Sequence, residues 1–170
     1  MGNVLIKKHA IFSRDREYRY TLWRLWDSNK GYAMFICLNP STADEESDDN
    51  TVRRCVGYAK KWGYGGVCIA NLFAFRATKP RKMKAAKDPI GPKNDSWIKF
   101  LAIRAGVVVA AWGCNGGFKG RDTEVRNIIP RLHYLVFTKD GHPSHPLFLK
   151  KGLQPKEWRV KNGRISSSSK

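Results

Sequence analysis

The chain predicts an α/β fold: a three-layer α/β/α arrangement around a mostly parallel central sheet, preceded by an N-terminal antiparallel strand pair. Three observations carry this. The apolar runs at residues 32–38, 67–73 and 107–112 are short and show no polar alternation, the pattern of strands covered on both faces. Segments with helical spacing fill the intervals between them. Each run ends at a breaker or a polar loop, so the connections are short.

Taken in order, residues 4–12 and 17–27 read as two strands around the polar turn Ser13-Arg14-Asp15-Arg16. In the second, Tyr18, Tyr20, Leu22 and Arg24 alternate with Arg19, Thr21 and Trp23, a period of two. The strand at 32–38 stops at Asn39-Pro40-Ser41, because Pro40 has no N–H to continue a ladder and holds Asn39 out of helical geometry. An acidic loop follows, Asp44-Glu45-Glu46-Ser47-Asp48-Asp49, with five of the chain's 14 carboxylates. Asp48 or Asp49 is placed to cap a helix whose buried face is Val52, Cys55, Val56 and Ala59, ending at Trp62-Gly63-Tyr64-Gly65-Gly66.

The strand at 67–73 carries Asn71 near its end, and a basic segment with a short helix follows it: Arg76, Lys79, Arg81, Lys82, Lys84 and Lys87. Beyond the rigid turn Asp88-Pro89-Ile90-Gly91-Pro92, a helix is expected over 94–104 with Trp97, Ile98, Leu101 and Ala105 on one face. The run at 107–112 is the expected central strand. The glycine-rich loop at 113–120 fits neither a Walker motif nor a dinucleotide fingerprint. A helix from Asp122 or Thr123 to Arg131, a strand at 134–137 and a turn-rich loop at 138–146 complete a single domain over 1–155. Residues 156–170 read as a basic, flexible tail.

A formal net charge of +18 and an isoelectric point near 10.1 make nucleic acid, DNA first, the expected partner. No segment joins a long apolar face to a basic one, and none is a leader or a span, so no membrane partner and a cytoplasmic location are expected. Cys37, Cys55, Cys68 and Cys114 lie in apolar surroundings without a C-x-x-C pair. They read as buried thiols, and neither a metal nor another cofactor is expected.

In a parallel sheet, ligands sit outside the carboxyl ends of the strands. The loops expected there carry Asn39 with Pro40 and Ser41, Asn71 with Arg76, Trp112 with Gly113, and His142 with His145. Each has a plainer role too: an Asn can satisfy its own turn, a His beside Pro can fill a loop, and Trp112 can be core.

Several stretches are similar to those of a bacterial and phage family filed as a domain of unknown function: Leu38-Asn39-Pro40-Ser41-Thr42-Ala43-Asp44, Asp48 to Cys55, Asn71 to Thr78, Ala110-Ala111-Trp112-Gly113 and Asp140 to Leu147. The similarity runs from about Phe12 to Leu153 and implies no activity. More distantly, Leu38-Asn39-Pro40-Ser41 resembles the Gly-(Ile/Leu)-Asn-Pro-Gly motif of mismatch-type members of the uracil-DNA glycosylase superfamily. Ile69 to Arg76 resembles that superfamily's strand with a base-reading Asn, the strand reaching Trp112-Gly113 its central strand, and the His-Pro steps its His-Pro-Ser loop.

This resemblance implies a uracil-DNA glycosylase-like fold and a DNA repair type of hydrolase that excises a flipped, modified or mismatched base. Asn39 would hold the attacking water, and His145 or His142 would donate to the departing base. Asn71 would read the base edge beside Trp112. Ser41 and Arg76, with Lys79, Arg81, Lys82 and Lys84, would hold phosphates, and Asp49 would be an alternative carboxylate. Asn39 stands where the fastest members carry Asp, which implies slow chemistry. Two alternatives follow from the same residues: a non-catalytic nucleic-acid-binding protein on this fold, and an enzyme acting on free nucleosides or nucleotides.

Overall fold

The computed structural model describes residues 5–159. Its strands are β1 (Lys7–Phe12), β2 (Arg19–Leu25), β3 (Tyr32–Cys37), β4 (Gly66–Asn71), β5 (Val107–Ala110), β6 (His133–Tyr134) and β7 (Lys156–Glu157). They form one sheet in the order β1-β2-β4-β3-β5-β6-β7. The four central strands, β4-β3-β5-β6, are parallel, with β1 and β2 antiparallel at one edge and β7 antiparallel at the other. The expected N-terminal pair is therefore part of the sheet, since β2 bonds to β4.

The helices are α1 (Asn50–Lys61), α2 (Pro80–Lys84), α3 (Asn94–Ala102) and α4 (Arg121–Ile128). Strand alternation divides the core between them. Ala33, Phe35 and Cys37 of β3 pack with Val52, Cys55, Tyr58 and Ala59 of α1. Met34 and Ile36 pack with Met83, Ile98, Leu101 and Val125 from α2, α3 and α4. Helices on both faces are the reason the strands read as unbroken apolar runs. Burying each of the larger side chains among them, such as Phe35, Met34, Ile36 and Val52, contributes on the order of 1.5–3 kcal/mol.

Several boundaries differ from those expected. Residues 38, 72–73 and 111–112 leave the strands, yet their backbones continue the ladder: Leu72 N–H donates to Cys37 O (2.9 Å), Phe73 N–H to Leu38 O (3.0 Å) and Ala111 N–H to Ile36 O (2.8 Å). The last helix stops at Ile128 and not at Arg131, because Pro130 forces Ile129 into extended geometry (φ −98°, ψ 118°). The strand expected at 134–137 is the two-residue β6, and the glycine loop winds into 3₁₀ turns over Cys114–Gly120, broken by a kink where Phe118 and Lys119 leave helical geometry. The expected tail begins inside the fold: Lys156 and Glu157 pair with β6, and Trp158 packs on Trp112 and Phe137. Residues 160–170 of that tail lie outside the described residues.

The acidic loop has a structural cause. Arg24, buried on β2, donates to Asp48 Oδ1 (2.7 Å) and to the carbonyls of Trp23, Asp44 and Ser47. Exposed Arg16 binds Glu45 through its two terminal guanidinium nitrogens. A buried guanidinium needs this many acceptors to offset its lost hydration, and a loop rich in carboxylates and free carbonyls supplies them. Replacing Arg24 by Met keeps the bulk but strands those acceptors. Arg24→Met is expected to lower stability by about 3 kcal/mol, read as a lower urea midpoint at unchanged slope.

Candidate functional site

From β3 the chain passes to β4 on one side and later to β5 on the other, so the strand order reverses at β3. Loops leave the sheet in opposite directions there and open a crevice at the carboxyl ends. A pocket of about 350 Å³ lies in it, lined by Asn39, Ser41, Asp49, Asn71, Trp112 and His145 among others. The register explains the convergence. Cys37 pairs with Asn71 and Ile36 with Ala110, so Asn39, Asn71 and Trp112 come to nearly one level.

Asn39 is half-buried, and its Nδ2 donates to Ala77 O (2.8 Å) and Pro40 O (3.1 Å). Both contacts use the amide nitrogen, so Oδ1 is the atom left for a ligand. Asn71 is 1% exposed, and neither its Nδ2 nor its Oδ1 has a hydrogen-bond partner. A buried amide without protein partners at a pocket wall leaves both a donor and an acceptor for whatever enters. The backbone beneath it is held firmly: Asn94 Nδ2 donates to the carbonyls of Asn71 (2.9 Å) and Leu72 (3.1 Å).

The two histidines separate. His145 lines the pocket, whereas His142 is not among its lining residues. The His142 backbone closes a hairpin instead, donating to Thr138 Oγ1 (3.2 Å) and accepting from Thr138 N–H (2.8 Å). That hairpin docks on the β5 loop through Gly113 N–H to Pro143 O (2.8 Å). The Nδ1 of His145 accepts from Leu147 N–H (3.3 Å), so the neutral ring carries its proton on Nε2. Burial holds the His145 pKa below its ordinary value, with Asp49 pulling weakly the other way.

Asp49, and not Asp48, caps α1, accepting from Val52 N–H (2.9 Å) through Oδ1. Of the residues lining the pocket it alone is acidic. Trp112 is 2% exposed and its indole edge is backed by Gly116, where a Cβ would fall 2.0 Å from Trp112 Cδ1. Ser41 also borders a shallower neighbouring cavity with Arg76, Thr78 and Lys82. The Arg76 guanidinium lies over the Phe12 ring (4.9 Å) and donates to Arg16 O. Lys79, Arg81 and Lys82 are exposed, but Lys84 is committed to Asn115 Oδ1 (2.8 Å). Cys37 and Cys114 both line the pocket, but Cys114 is exposed whereas Cys37, like Cys55 and Cys68, is buried. Among the described residues no three His, Cys, Asp or Glu side chains gather as metal ligands, and no helix is long and apolar enough to cross a membrane.

Sequence reasoning missed Arg19. Strict alternation put it on the face of Thr21 and Trp23. The pairing of β1 with β2 slips between Ile11 and Phe12, however: Ile11 faces Thr21 and Phe12 faces Arg19, leaving Tyr20 unpaired. This bulge carries Arg19 to the pocket, where it is 3% exposed and donates to Ala43 O. Burial lowers its pKa to about 10, against an opposing pull from Asp49, so it stays charged at neutral pH. Nothing in the residue types of 18–21 marks a bulge.

The lowered His145 pKa has a consequence for stability. Between the folded value and the ordinary 6.5, the unfolded chain binds more protons, so stability rises with pH there and falls as pH drops below 6.5. In a pH titration followed by NMR, the His145 midpoint is expected below 6.5, and Asp49→Asn is expected to lower it further. His145→Gln should remove this part of the acid loss of stability.

No curated protein and no solved structure matches the chain. A family model does, over residues 19–147, which takes in β2, all four central strands and the whole pocket wall from Arg19 to His145. By that match the chain belongs to the family described as Protein of unknown function (DUF1643).

Proposed function

We propose that this protein is a DNA-glycosylase-type hydrolase on a uracil-DNA glycosylase-like arrangement, acting on a flipped base in DNA. The observation that carries the reading is Asn71, whose buried amide offers an unpartnered donor and an unpartnered acceptor to a pocket at the strand ends. An amide presenting both is complementary to a base edge, which also alternates donors and acceptors. The pocket's volume is at the small end of the roughly 300–1,000 Å³ range for small-molecule sites, which suits one extruded base.

In this reading the C1′–N bond breaks with its electron pair leaving on the base, and water attacks the electron-poor sugar carbon. Asn39 Oδ1 orients that water. An amide oxygen takes no proton at neutral pH, so the proton goes to bulk water or to the Asp49 oxygen not engaged in capping α1. The Nε2–H of His145 donates to the oxygen of the departing base, where negative charge develops. Exposed Lys79, Arg81 and Lys82, with Arg76 and Ser41 at the adjoining cavity, hold phosphates and bring the duplex to the pocket.

One observation favours a second reading. Both donor positions of Asn39 are spent on loop carbonyls, which is also what a purely structural asparagine does, and a non-catalytic nucleic-acid-binding protein would look the same there. The two readings part in an assay for abasic sites and released base, using DNA with uracil, mismatched thymine, deaminated purines and hypermodified bases. Base release is expected from at least one of these, and inertness across the panel leaves the binding reading. His145→Ala should lower the excision rate by about 10²–10³, and Asn71→Ala should abolish base selection. DNA affinity of both variants should stay near that of the unmodified protein. That affinity is itself expected to fall by roughly 10³–10⁵ between 50 and 200 mM salt.

A further inference from the structure

Three arginines are buried among the described residues, and two of them are neutralised. Arg24 is paired with Asp48, and Arg121 with Asp95 and Glu124. Arg19 differs. No carboxylate lies within ion-pair reach of it, Asp49 acting only from farther off, its one side-chain hydrogen bond goes to Ala43 O, and its Nε–H is buried without a partner. Removing a guanidinium from water without a counter-charge is costly, and the cost is recovered when an anion arrives. Arg19 opens on the pocket beside Asn71, because β2 lies next to β4 with Leu22 opposite Ile69. Asp49, the one acidic lining residue, is turned to the positive end of α1 and caps it.

We infer that Arg19 makes this pocket selective for a nucleobase carrying an anionic exocyclic group, of which a ring carboxylate is the simplest. The inference deepens the base-binding reading above and rests on it. Asn71 engages the ring edge and Arg19 the substituent, with the charge-assisted bond to Arg19 supplying the discrimination. The sugar-phosphate is not the anion in question. Its contacts lie at the rim, in the neighbouring cavity of Ser41, Arg76 and Lys82, whereas Arg19 is 3% exposed on the inner wall.

The test is calorimetric titration of the full chain at neutral pH with free uracil, uracil-5-carboxylate and uracil-5-carboxamide. The carboxamide keeps the size and loses the charge, so the comparison needs no variant. The carboxylate is expected to bind about tenfold or more tightly than the carboxamide. Arg19→Met should erase that difference, and Arg19→Lys should keep part of it. Equal affinities in the unmodified protein, no binding by any of the three, or a preference that survives Arg19→Met would overturn the inference. Base release from DNA is measured separately. Release with no charge preference overturns the role of Arg19 alone. A charge-selective free-base site with no release from any DNA upholds Arg19 and overturns the excision chemistry.

Discussion

The site depends on the parallel pairing of β3 with β4 and β5 being carried past the ends of the strands. Cys37 and Leu38 accept from Leu72 and Phe73, Pro40 O accepts from Ala77 N–H, and Ile36 accepts from Ala111. These bonds lock three departing loops side by side, so their polar side chains are placed by backbone and not by chance. The hairpin bearing the histidines then docks through Gly113 on Pro143, and the fourth wall arrives at the same level. A pocket held in this way is set before any ligand enters, which lowers the ordering cost of binding.

Charge is arranged on two levels. Much of the positive excess is exposed, on α1, on α2 and in the loop before α2, where it acts at long range and is screened by salt. Inside, arginines are anchors. Arg24 gathers the acidic loop over β2, and Arg121 ties α4 to the end of β4 through Leu72 O (2.8 Å). Both therefore buttress the edge from which the pocket is built. Arg19 has the same depth without the same pairing, and that contrast inside one molecule separates a structural cation from one waiting for a ligand.

What the sequence makes legible follows from where its physics is local. Proline at 40, glycines after α1, and apolar runs of strand length mark the elements and the parallel centre, because each acts through its immediate neighbours. Asn39, Asn71, Trp112 and His145 could be gathered for the same reason: each lies at or beyond the end of a strand, and strand ends share an edge. Tertiary features were not legible. The bulge at Tyr20 depends on how β1 and β2 pair, and the docking of Trp158 depends on a β6 only two residues long. The choice between Asp48 and Asp49 was settled by Arg24, which draws Asp48 away from the helix. Lys84, similarly, looked like one more exposed cation until Asn115 claimed it.

Asn39 shows how the scaffold constrains the chemistry it can carry. Its Nδ2 bridges the carbonyls of Pro40 and Ala77, joining the loop after β3 to the loop after β4. A carboxylate in that place would set an anionic oxygen against two carbonyl oxygens at hydrogen-bond distance, a repulsive arrangement with no proton between them. The loop geometry therefore requires an amide, and the same geometry leaves Oδ1 as the face turned to a ligand. The amide gives a fixed, weakly basic oxygen where a carboxylate would give a stronger base in a less stable loop. Any hydrolytic step here draws its advantage from orientation and from the donors facing the leaving group, and only secondarily from proton abstraction.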